Sequence, residues 1–366
     1  RAMNRLVQGD VGSGKTAVAE AAMYKAVRGG CQAVMMAPTE ILAHQHFEGL
    51  RKSFAAHGIR VGFLSGSLKA SEKREILEQL KDGQIDILVG THAVIQPEVE
   101  FARLGLVITD EQHRFGVNQR IRLKEKGQNP NVLVMTATPI PRTLAVVLYG
   151  DLDVSVLDEM PPGRQVIKTR NVAGEKREAC YDFVEKQLQQ GRQAYVVTPL
   201  IEDSDTLDLK SAQTVYEELA KRFAEYKVAL IHGSMKQVEK DQVMQEFYRG
   251  EIDVLVATVV IEVGINVPNA SVIVIENAER FGLAQLHQLR GRVGRGRWQS
   301  YCFLITQSQS ELAQKRGEIM QSSSDGFFIA EEDMKLRGPG DIFGTRQHGI
   351  PELNVADLAK HLKIME

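Results

Sequence analysis

A glycine-rich segment near the start of the chain has the residue types and spacing of a phosphate-binding loop. Residues 9–16 read GDVGSGKT, follow a short apolar run and precede a helical stretch at residues 17–27. Glycines let backbone N–H groups surround phosphate oxygens, and the N-terminus of the following helix adds partial positive charge. The alternative, a glycine-rich turn before an ordinary helix, does not explain the lysine and the hydroxyl residue that complete the motif. The predicted nucleotide-binding residues are Gly9, Asp10, Gly12, Ser13, Gly14, Lys15 and Thr16.

Two of these residues have more specific predicted roles. Lys15 is expected to neutralise the β- and γ-phosphates of a bound nucleotide, and Thr16 to ligate Mg²⁺. Two adjacent acids, Asp110 and Glu111, follow the apolar, strand-like run at residues 104–109. A carboxylate at a strand end suits a second Mg²⁺ contact, direct or through water, which is the role predicted for Asp110. Glu111 is predicted to orient and deprotonate the attacking water; a solvated acidic loop is the alternative.

A third segment, residues 285–296, reads QLHQLRGRVGRG and alternates arginine with glycine. Guanidinium groups on a compact turn suit the charge that develops on a γ-phosphate during hydrolysis. The alternative is a basic patch on a solvated surface. Because the chain also has a complete phosphate loop, the segment favours a composite site to which two lobes contribute.

The elements that must position these residues follow an alternating pattern. Apolar strand-like runs alternate with amphipathic helical segments, which predicts two parallel α/β sheets buried on both faces. The segment DEMPPGR at residues 158–164 marks a linker. After residue 306 two helical stretches, at residues 310–321 and 328–336, precede a glycine-rich loop. The predicted domains are residues 1–159, 165–306 and 307–366.

The predicted strands fall into two series. Six runs precede the linker, at residues 5–7, 32–37, 61–65, 85–89, 104–109 and 131–136. Five runs follow it, at residues 193–197, 227–231, 253–257, 271–275 and 301–305.

An internal repeat supports this division into two lobes. Residues 66–91 and 233–258 align without a gap at an offset of 167 and are identical at eleven of 26 positions. Generic helix–strand patterning would explain matching apolar positions, but not the paired Gly-Ser, Lys and Thr residues. The repeat therefore indicates two lobes of one ancestral fold.

Composition and charge limit the possible partners. The 366 residues carry 45 Lys and Arg against 47 Asp and Glu, a net charge of −2, so a nucleic acid would have to be bound by a local stripe. The three cysteines lie far apart, without zinc spacing, as is typical of a reducing cytoplasm. No apolar run reaches the ~18–20 residues of a membrane span. The chain opens at Arg1, eight residues before the glycine-rich loop, which indicates a piece of a longer protein.

Several motifs together resemble those of the superfamily 2 helicases. They are GDVGSGKT, APTEILAHQ, GTHAVIQ, DEQHRFGVNQR, TATPIPRTLA, VATVVIEVGINVPNA and QLHQLRGRVGRG. DEQH followed by RFG, TATPIPRT and the terminal RGPGDIFGTRQHG narrow the resemblance to the RecG family of branched-DNA translocases, and Mfd-type translocases share the terminal element. The resemblance covers essentially the whole chain. It implies two tandem RecA-like lobes with ATP between them, followed by a helical hairpin and an extended loop.

The resemblance also implies an activity and a setting. The chain is expected to be an ATP-dependent double-stranded DNA translocase or helicase that uses Mg²⁺ and remodels forks and Holliday junctions in repair and recombination. It is expected to act as a monomer in the cytoplasm. An N-terminal wedge domain, which such proteins use to grip forks, lies outside this sequence. An Mfd-like translocase, an RNA helicase and a nucleotide-controlled binding switch remain as alternatives.

Residue roles follow from the same resemblance. Gln288, Arg292 and Arg295 would reach the γ-phosphate, with one of the two arginines as the finger. Thr136 and Thr138, with His113, would couple hydrolysis to lobe movement. Gly264 and Asn266 would lie near the nucleotide, although many superfamily 2 members carry Asp in place of Asn266.

The repeat then predicts two matching grips on the DNA backbone. A Gly-Ser pair before a helix N-terminus, with a Thr at the end of the next strand, can bind phosphate without net charge. The grip residues are Gly66, Ser67 and Thr91 in the first lobe, and Gly233, Ser234 and Thr258 in the second. The terminal loop is expected to contact duplex DNA through Arg337, Arg346 and Gln347 and to act as a lever.

Overall fold

The computed structural model describes residues 2–110, 117–137, 152–161, 165–199, 205–258, 267–308 and 310–337. Within these ranges the chain forms two parallel β-sheets with helices packed on their faces. The part built on the first sheet is called the first lobe, and the part built on the second sheet the second lobe. The predicted fold class, two tandem parallel-sheet lobes, is confirmed.

The first lobe contains seven of the described strands in the order β3-β4-β2-β5-β6-β1-β7. Its strands are β1 (Asn4–Gly9), β2 (Gln32–Met36), β3 (Val61–Leu64), β4 (Ile87–Gly90), β5 (Leu104–Thr109), β6 (Asn131–Thr136) and β7 (Asp153–Leu157). Its described helices are α1 (Lys15–Arg28), α2 (Glu40–Phe54), α3 (Ala70–Lys81) and α4 (Val117–Lys124).

The second lobe contains six of the described strands in the order β10-β11-β9-β12-β13-β8. Its strands are β8 (Lys168–Ala173), β9 (Gln193–Thr198), β10 (Val228–Ile231), β11 (Val254–Thr258), β12 (Ala270–Ile275) and β13 (Tyr301–Thr306). Its described helices are α5 (Arg177–Leu188), α6 (Asp205–Arg222), α7 (Gln237–Tyr248) and α8 (Leu283–Arg290). A hairpin of α9 (Glu311–Ser322) and α10 (Gly326–Arg337) follows. The bounds of both helices lie within two residues of the predicted helical stretches.

Counted from its own first strand, each lobe repeats one strand order, 3-4-2-5-6-1. Central strands such as β2 and β9 are buried along their whole length, as their continuous apolar sequences predict. On β5, Leu106 and Ile108 pack into the core on one face of the sheet, and Leu104 and Val107 into the core on the other. Both faces of each sheet are therefore covered.

Two strands of the structure are missing from the sequence prediction, namely β7 and β8. In the described residues β7 pairs only with β1, and β8 pairs only with β13, so each lies at an edge of its sheet. Their residues are exposed or half-buried, without a fully buried position. An edge strand needs no continuous apolar run, and the apolar pattern therefore did not reveal them.

The internal repeat is built from equal elements. Helix α7 begins and ends 167 residues after α3, and β10 begins and ends 167 residues after β3. The Asp86 carboxylate accepts a hydrogen bond of 2.8 Å from the Arg60 backbone N–H, and the Asp253 carboxylate accepts one of 2.8 Å from that of Lys227. The repeated Asp therefore has a structural role, which is to close the start of each strand pair.

The cysteines behave as small core residues. Cys180 and Cys302 are buried, Cys31 is half-buried, and all three are free thiols. Burial raises the pKa of the Cys180 thiol and of the Cys302 thiol to about 12. Both therefore stay protonated near neutral pH and lack the reactivity of a thiolate.

Among the described residues, no helix is both long enough and apolar enough to cross a membrane. The predicted domain boundaries stay predictions.

Candidate active site between the two lobes

The phosphate loop connects β1 to α1, and its backbone requires glycine at defined positions. Gly12 and Gly14 have φ values of +79° and +98°, in the left-handed region that favours glycine. A Cβ at Gly9 would overlap the Ser13 hydroxyl and lie 3.0 Å from the Leu157 Cβ. The glycines of the motif are therefore needed for this turn to form between β1, α1 and β7.

The Lys15 side chain folds back over this loop. Its Nζ donates hydrogen bonds of 2.9 Å to the Gly9 carbonyl and 2.8 Å to the Asp10 carbonyl, and the side chain is buried. The Ser13 hydroxyl, also buried, has no hydrogen-bond partner among the described residues. A buried ammonium group and an unsatisfied hydroxyl at a helix N-terminus suit the phosphates of a nucleotide. Thr16 is exposed on the first turn of α1.

Asp110 directly follows β5 and is buried. Its backbone N–H donates to the Met36 carbonyl at 3.0 Å, and its Oδ2 lies 2.8 Å from Nε2 of His46 on α2. The described residues contain no group of three His, Cys, Asp or Glu side chains that could hold a metal by themselves. Mg²⁺ is commonly held by one or two carboxylates together with substrate phosphates and water. A carboxylate at a strand end and a hydroxyl on the first turn of α1 have the chemistry of such a site, and Mg²⁺ ligation by Asp110 and Thr16 stays a prediction.

Thr136 ends β6 and is buried. In the parallel pairing of β1 and β6 it lies opposite Gln8, one residue before the phosphate loop begins. The predicted coupling residue is thus placed beside the strand that carries the loop.

The arginine segment of the second lobe faces this loop. It comprises α8 and the turn after it, where a Cβ at Gly291 would lie 3.0 Å from the Cβ of Val11 in the phosphate loop. Gly291 therefore permits close approach of the two lobes. On α2, Ile41 packs into the apolar core of the second lobe, which adds a contact between the lobes.

The two predicted finger arginines lie together in this segment. Arg292 is buried, and Arg295 is half-buried and donates from Nε to the Gly291 carbonyl at 3.2 Å. Burial raises the pKa of Tyr195 on β9, and the positive charges of Arg292 and Arg295 oppose that rise. The charges of both guanidinium groups therefore act on the same β9 side chain, while Gln288 is half-buried on α8.

A direct polar contact between the lobes was not foreseen from the sequence. Oδ1 of Asp10 in the phosphate loop lies 2.6 Å from Nε2 of His287 on α8. Nδ1 of His287 lies 2.8 Å from Nη2 of Arg290, whose Nη1 donates to the carbonyls of Met320 and Ser323 at 2.9 and 2.8 Å. Arg290 is therefore held by the helical hairpin, although the sequence grouped it with the two finger arginines. His287 lies within the QLHQLRGRVGRG motif, but no local pattern indicates its partner.

A cleft of about 300 Å³ opens beside this contact. The phosphate loop, the segment between the lobes, α8 and the turn between α9 and α10 all line it. The phosphate loop and the helical hairpin that precedes the predicted lever therefore meet at one place.

The predicted DNA grips differ in exposure. Gly66, Ser67, Gly233 and Ser234 are exposed before the N-termini of α3 and α7, whereas Thr91 and Thr258 are buried. The Ser67 hydroxyl donates a short hydrogen bond to Oε1 of Glu40, which also accepts one of 3.1 Å from Ser65. The Thr258 hydroxyl has no hydrogen-bond partner in the described part of the structure.

Some predicted site residues lie outside the described residues. They are Glu111, His113, Thr138, Gly264, Asn266, Arg346 and Gln347. Arg337 is the last residue of α10, and its side chain also lies outside the description. Their roles stay predictions.

Three protein-family models match the chain in succession. The model for DEAD/DEAH box helicases matches residues 1–147, and the model for the helicase conserved C-terminal domain matches residues 175–297. The model for the C-terminal part of domain 3 of the ATP-dependent DNA helicase RecG matches residues 323–366.

Curated relatives match over the whole chain. The ATP-dependent DNA helicase RecG of Streptococcus pneumoniae is 56% identical over 365 residues, which is 100% of this chain and 54% of that protein. The protein of the same name from Bacillus subtilis is 55% identical, again over 100% of this chain and 54% of its own length. The chain thus spans about half the length of these relatives.

Solved structures agree with these matches. A structure of RecG bound to a three-way DNA junction is 50% identical with a TM-score of 0.84, and the match covers 100% of this chain and 48% of that chain. Dbp5 of S. cerevisiae, bound to RNA and ADP BeF3, has a TM-score of 0.65 at 17% identity over 88% of this chain and 83% of its own, a likeness of fold. With the successive family models and more than half of its residues identical to RecG proteins along its whole length, this chain belongs to the RecG family of superfamily 2 helicases.

Proposed function

We propose that this chain is the ATP-driven motor of a double-stranded DNA translocase that remodels replication forks and Holliday junctions in repair and recombination. The observation that supports the proposal is the meeting of the phosphate loop with the arginine segment of the other lobe, through Val11 and Gly291 and through Asp10 and His287. An arginine supplied across such a boundary makes hydrolysis depend on the arrangement of the lobes. Hydrolysis can therefore be converted into lobe movement.

The residues of the first lobe would bind and orient the nucleotide. Lys15, now bonded to loop carbonyls, would turn toward the β- and γ-phosphates, and the buried hydroxyl of Ser13 would gain a partner. Asp110 and Thr16 would hold Mg²⁺, which neutralises phosphate charge when bound. Glu111 would orient the attacking water.

The second lobe would stabilise the charge that develops on the γ-phosphate. Arg292 and Arg295 would supply guanidinium groups, and Gln288 an amide from α8. Gly264 and Asn266 would complete the nucleotide site. Electrostatic contacts to the γ-phosphate are stronger where water is excluded, and only 3% of the Arg292 surface is exposed. Thr136, Thr138 and His113 would pass the change in phosphate charge to the lobe boundary.

The DNA would be bound by the two grips and the terminal loop. The exposed Gly-Ser pairs before α3 and α7 present helix N-termini, which attract phosphate without requiring net positive charge. This agrees with the net charge of −2. Branched DNA as the substrate is supported by a 50% identical RecG structure bound to a three-way junction. Arg337, Arg346 and Gln347 would form the lever on the duplex.

The test is to measure the ATPase rate of the full-length protein with fork DNA, linear duplex, single-stranded DNA and RNA. We expect fork DNA to stimulate hydrolysis most. A higher rate with RNA would indicate an RNA helicase, and equal rates with forks and linear duplex would favour an Mfd-like translocase. Binding of ATP without stimulation by any nucleic acid would indicate a nucleotide-controlled binding switch. The monomeric state and the cytoplasmic location stay predictions.

A further inference from the structure

Three buried polar side chains link the phosphate loop to the helical hairpin. Asp10, His287 and Arg290 are 7%, 5% and 3% exposed and are joined by contacts of 2.6 and 2.8 Å. Buried polar groups of this kind are costly when they lose a partner, so the contacts are expected to persist while the lobes keep this arrangement.

Asp10, His287 and Arg290 form a row of three side chains, and the charges of the two end residues decide the hydrogen-bonding role of each His287 nitrogen. An ionised Asp10 carboxylate only accepts hydrogen bonds, and the Arg290 guanidinium only donates them. Nε2 of His287 must then carry the proton that is donated to Asp10, while Nδ1 must accept from Arg290. His287 thus joins the two elements through one donor and one acceptor, each aimed at a different element.

Each end of the row is attached to main chain. Oδ1 of Asp10 also accepts a hydrogen bond of 2.6 Å from the Val11 backbone N–H, so the carboxylate is tied to the shape of the phosphate loop. Nη1 of Arg290 donates to two carbonyls at the C-terminal end of α9, where a positive charge also complements the helix dipole. A shift of the loop backbone would therefore pull on the hairpin through three side chains.

We propose that His287 is a positioning residue that transmits the state of the phosphate loop to the helical hairpin. Nucleotide binding changes the loop backbone near Val11, and the row Asp10–His287–Arg290 carries this change to the end of α9. The transmission rests on the proposed function, because it requires the loop to bind a nucleotide. It needs neither DNA nor contact of the hairpin with the nucleotide.

The experiment compares His287→Gln with His287→Leu in the full-length protein. Glutamine offers a donor and an acceptor, as His287 does in this row, whereas leucine fills similar space without either. Hydrogen exchange of the amides in residues 311–337 is measured with and without a non-hydrolysable ATP analogue, and the affinity for a fluorescent ADP is measured in the same samples. His57→Leu, at an exposed histidine of the first lobe, is the matched control.

We expect the analogue to change the hydrogen-exchange rate of the hairpin amides at least threefold in the wild type, in His287→Gln and in His57→Leu. In His287→Leu the change should be less than 1.5-fold, which is roughly the effect of losing one buried contact. Asp10→Ala breaks the row from its other end and should abolish the response as well, which guards against misfolding of one variant. An undiminished response in His287→Leu, or no response in a wild type that binds nucleotide, would overturn the proposal. Failure of the wild type to bind any nucleotide would instead refute the proposed function.

Discussion

The two lobes share one strand order, yet the connection from the first strand to the first helix is built differently in each lobe. In the first lobe the connection from β1 to α1 is the open phosphate loop, residues 9–14. In the second lobe the connection from β8 to α5 is a single 3-10 turn, Gly174–Lys176. An anion can be surrounded by backbone N–H groups only where the loop is long enough, so the lobes differ in function despite equal topology.

The two lobes also differ in the contacts of the acidic residue that follows the corresponding strand. Asp110 follows β5, and Glu276 follows β12 at the same place in the second sheet. Glu276 is bonded within its own lobe, to Nε of Arg177 at 2.8 Å and to the Tyr181 hydroxyl at 2.5 Å. Burial, and next the charge of Glu276, raise the pKa of Tyr181 well above its usual value, which keeps this hydroxyl a donor. The second lobe thus neutralises its acid internally, and we propose that its Arg292 and Arg295 act on a nucleotide bound by the first lobe.

The largest effect is expected when one lysine is removed from each connection. Lys15→Ala should abolish ATP hydrolysis, because no other residue of the loop motif places a cation on the β- and γ-phosphates. The control is Lys176→Ala, which removes the exposed lysine of the corresponding turn in the second lobe and should leave the ATPase rate unchanged. A steady-state ATPase assay decides between them. Similar losses in both variants would mean that the second lobe also binds nucleotide.

The contribution of the second lobe to hydrolysis is tested through its arginines. Arg295→Ala should lower the ATPase rate roughly 10³-fold, the effect of removing an arginine that acts across a boundary. Arg297→Ala, two residues further on, removes an exposed arginine that stacks on Trp298 at 4.4 Å and should change the rate little. Rapid-quench measurement of a single turnover separates this effect from product release. Equal rates in both variants would contradict a composite site.

The internal ion pair of the second lobe should act on stability instead of on catalysis. Glu276→Ala removes the carboxylate that the buried Tyr181 hydroxyl donates to, while the half-buried Arg177 keeps Glu218 as a partner, and it should lower the free energy of unfolding by about 2 kcal/mol. Urea denaturation followed by circular dichroism measures this change, while the affinity for nucleotide should stay within twofold of wild type, roughly the spread expected of a distant substitution. Asp110→Asn should show the reverse, with lost hydrolysis and little loss of stability. A catalytic defect in Glu276→Ala at full stability would refute the assignment.

The smallest expected effects concern the two DNA grips. Thr91→Val and Thr258→Val should each weaken the stimulation by fork DNA several-fold, on the order of one lost hydrogen bond, and leave basal hydrolysis intact. The ATPase rate as a function of DNA concentration measures both. Ser67 is already bonded to Glu40, whereas Ser234 has no such carboxylate partner in the described residues. An effect of only one threonine substitution would show that the grips are not equivalent.

The sequence by itself was enough to predict the phosphate loop, the central strands, the repeat and the family. Each of these is a local pattern, because a loop motif or a buried strand is encoded by consecutive residues. The repeat was visible for the same reason, since α3 and α7 keep equal bounds at an offset of 167 residues. The edge strands β7 and β8 escaped prediction because their sequences, DVSVL and KTRNVA, contain polar residues and form no continuous apolar run. The edge strands β3 and β10, with the sequences VGFL and VALI, do form one and were predicted.

Only the tertiary structure decided which distant side chains meet. His287 and Asp10 are 277 positions apart, and Tyr181 and Glu276 are 95 positions apart. Neither pair has a sequence pattern, because a histidine or a glutamate reads the same whether it is solvated or buried against a partner. A polar group that is removed from water needs a matching donor or acceptor, and only the packing of distant elements against each other supplies it.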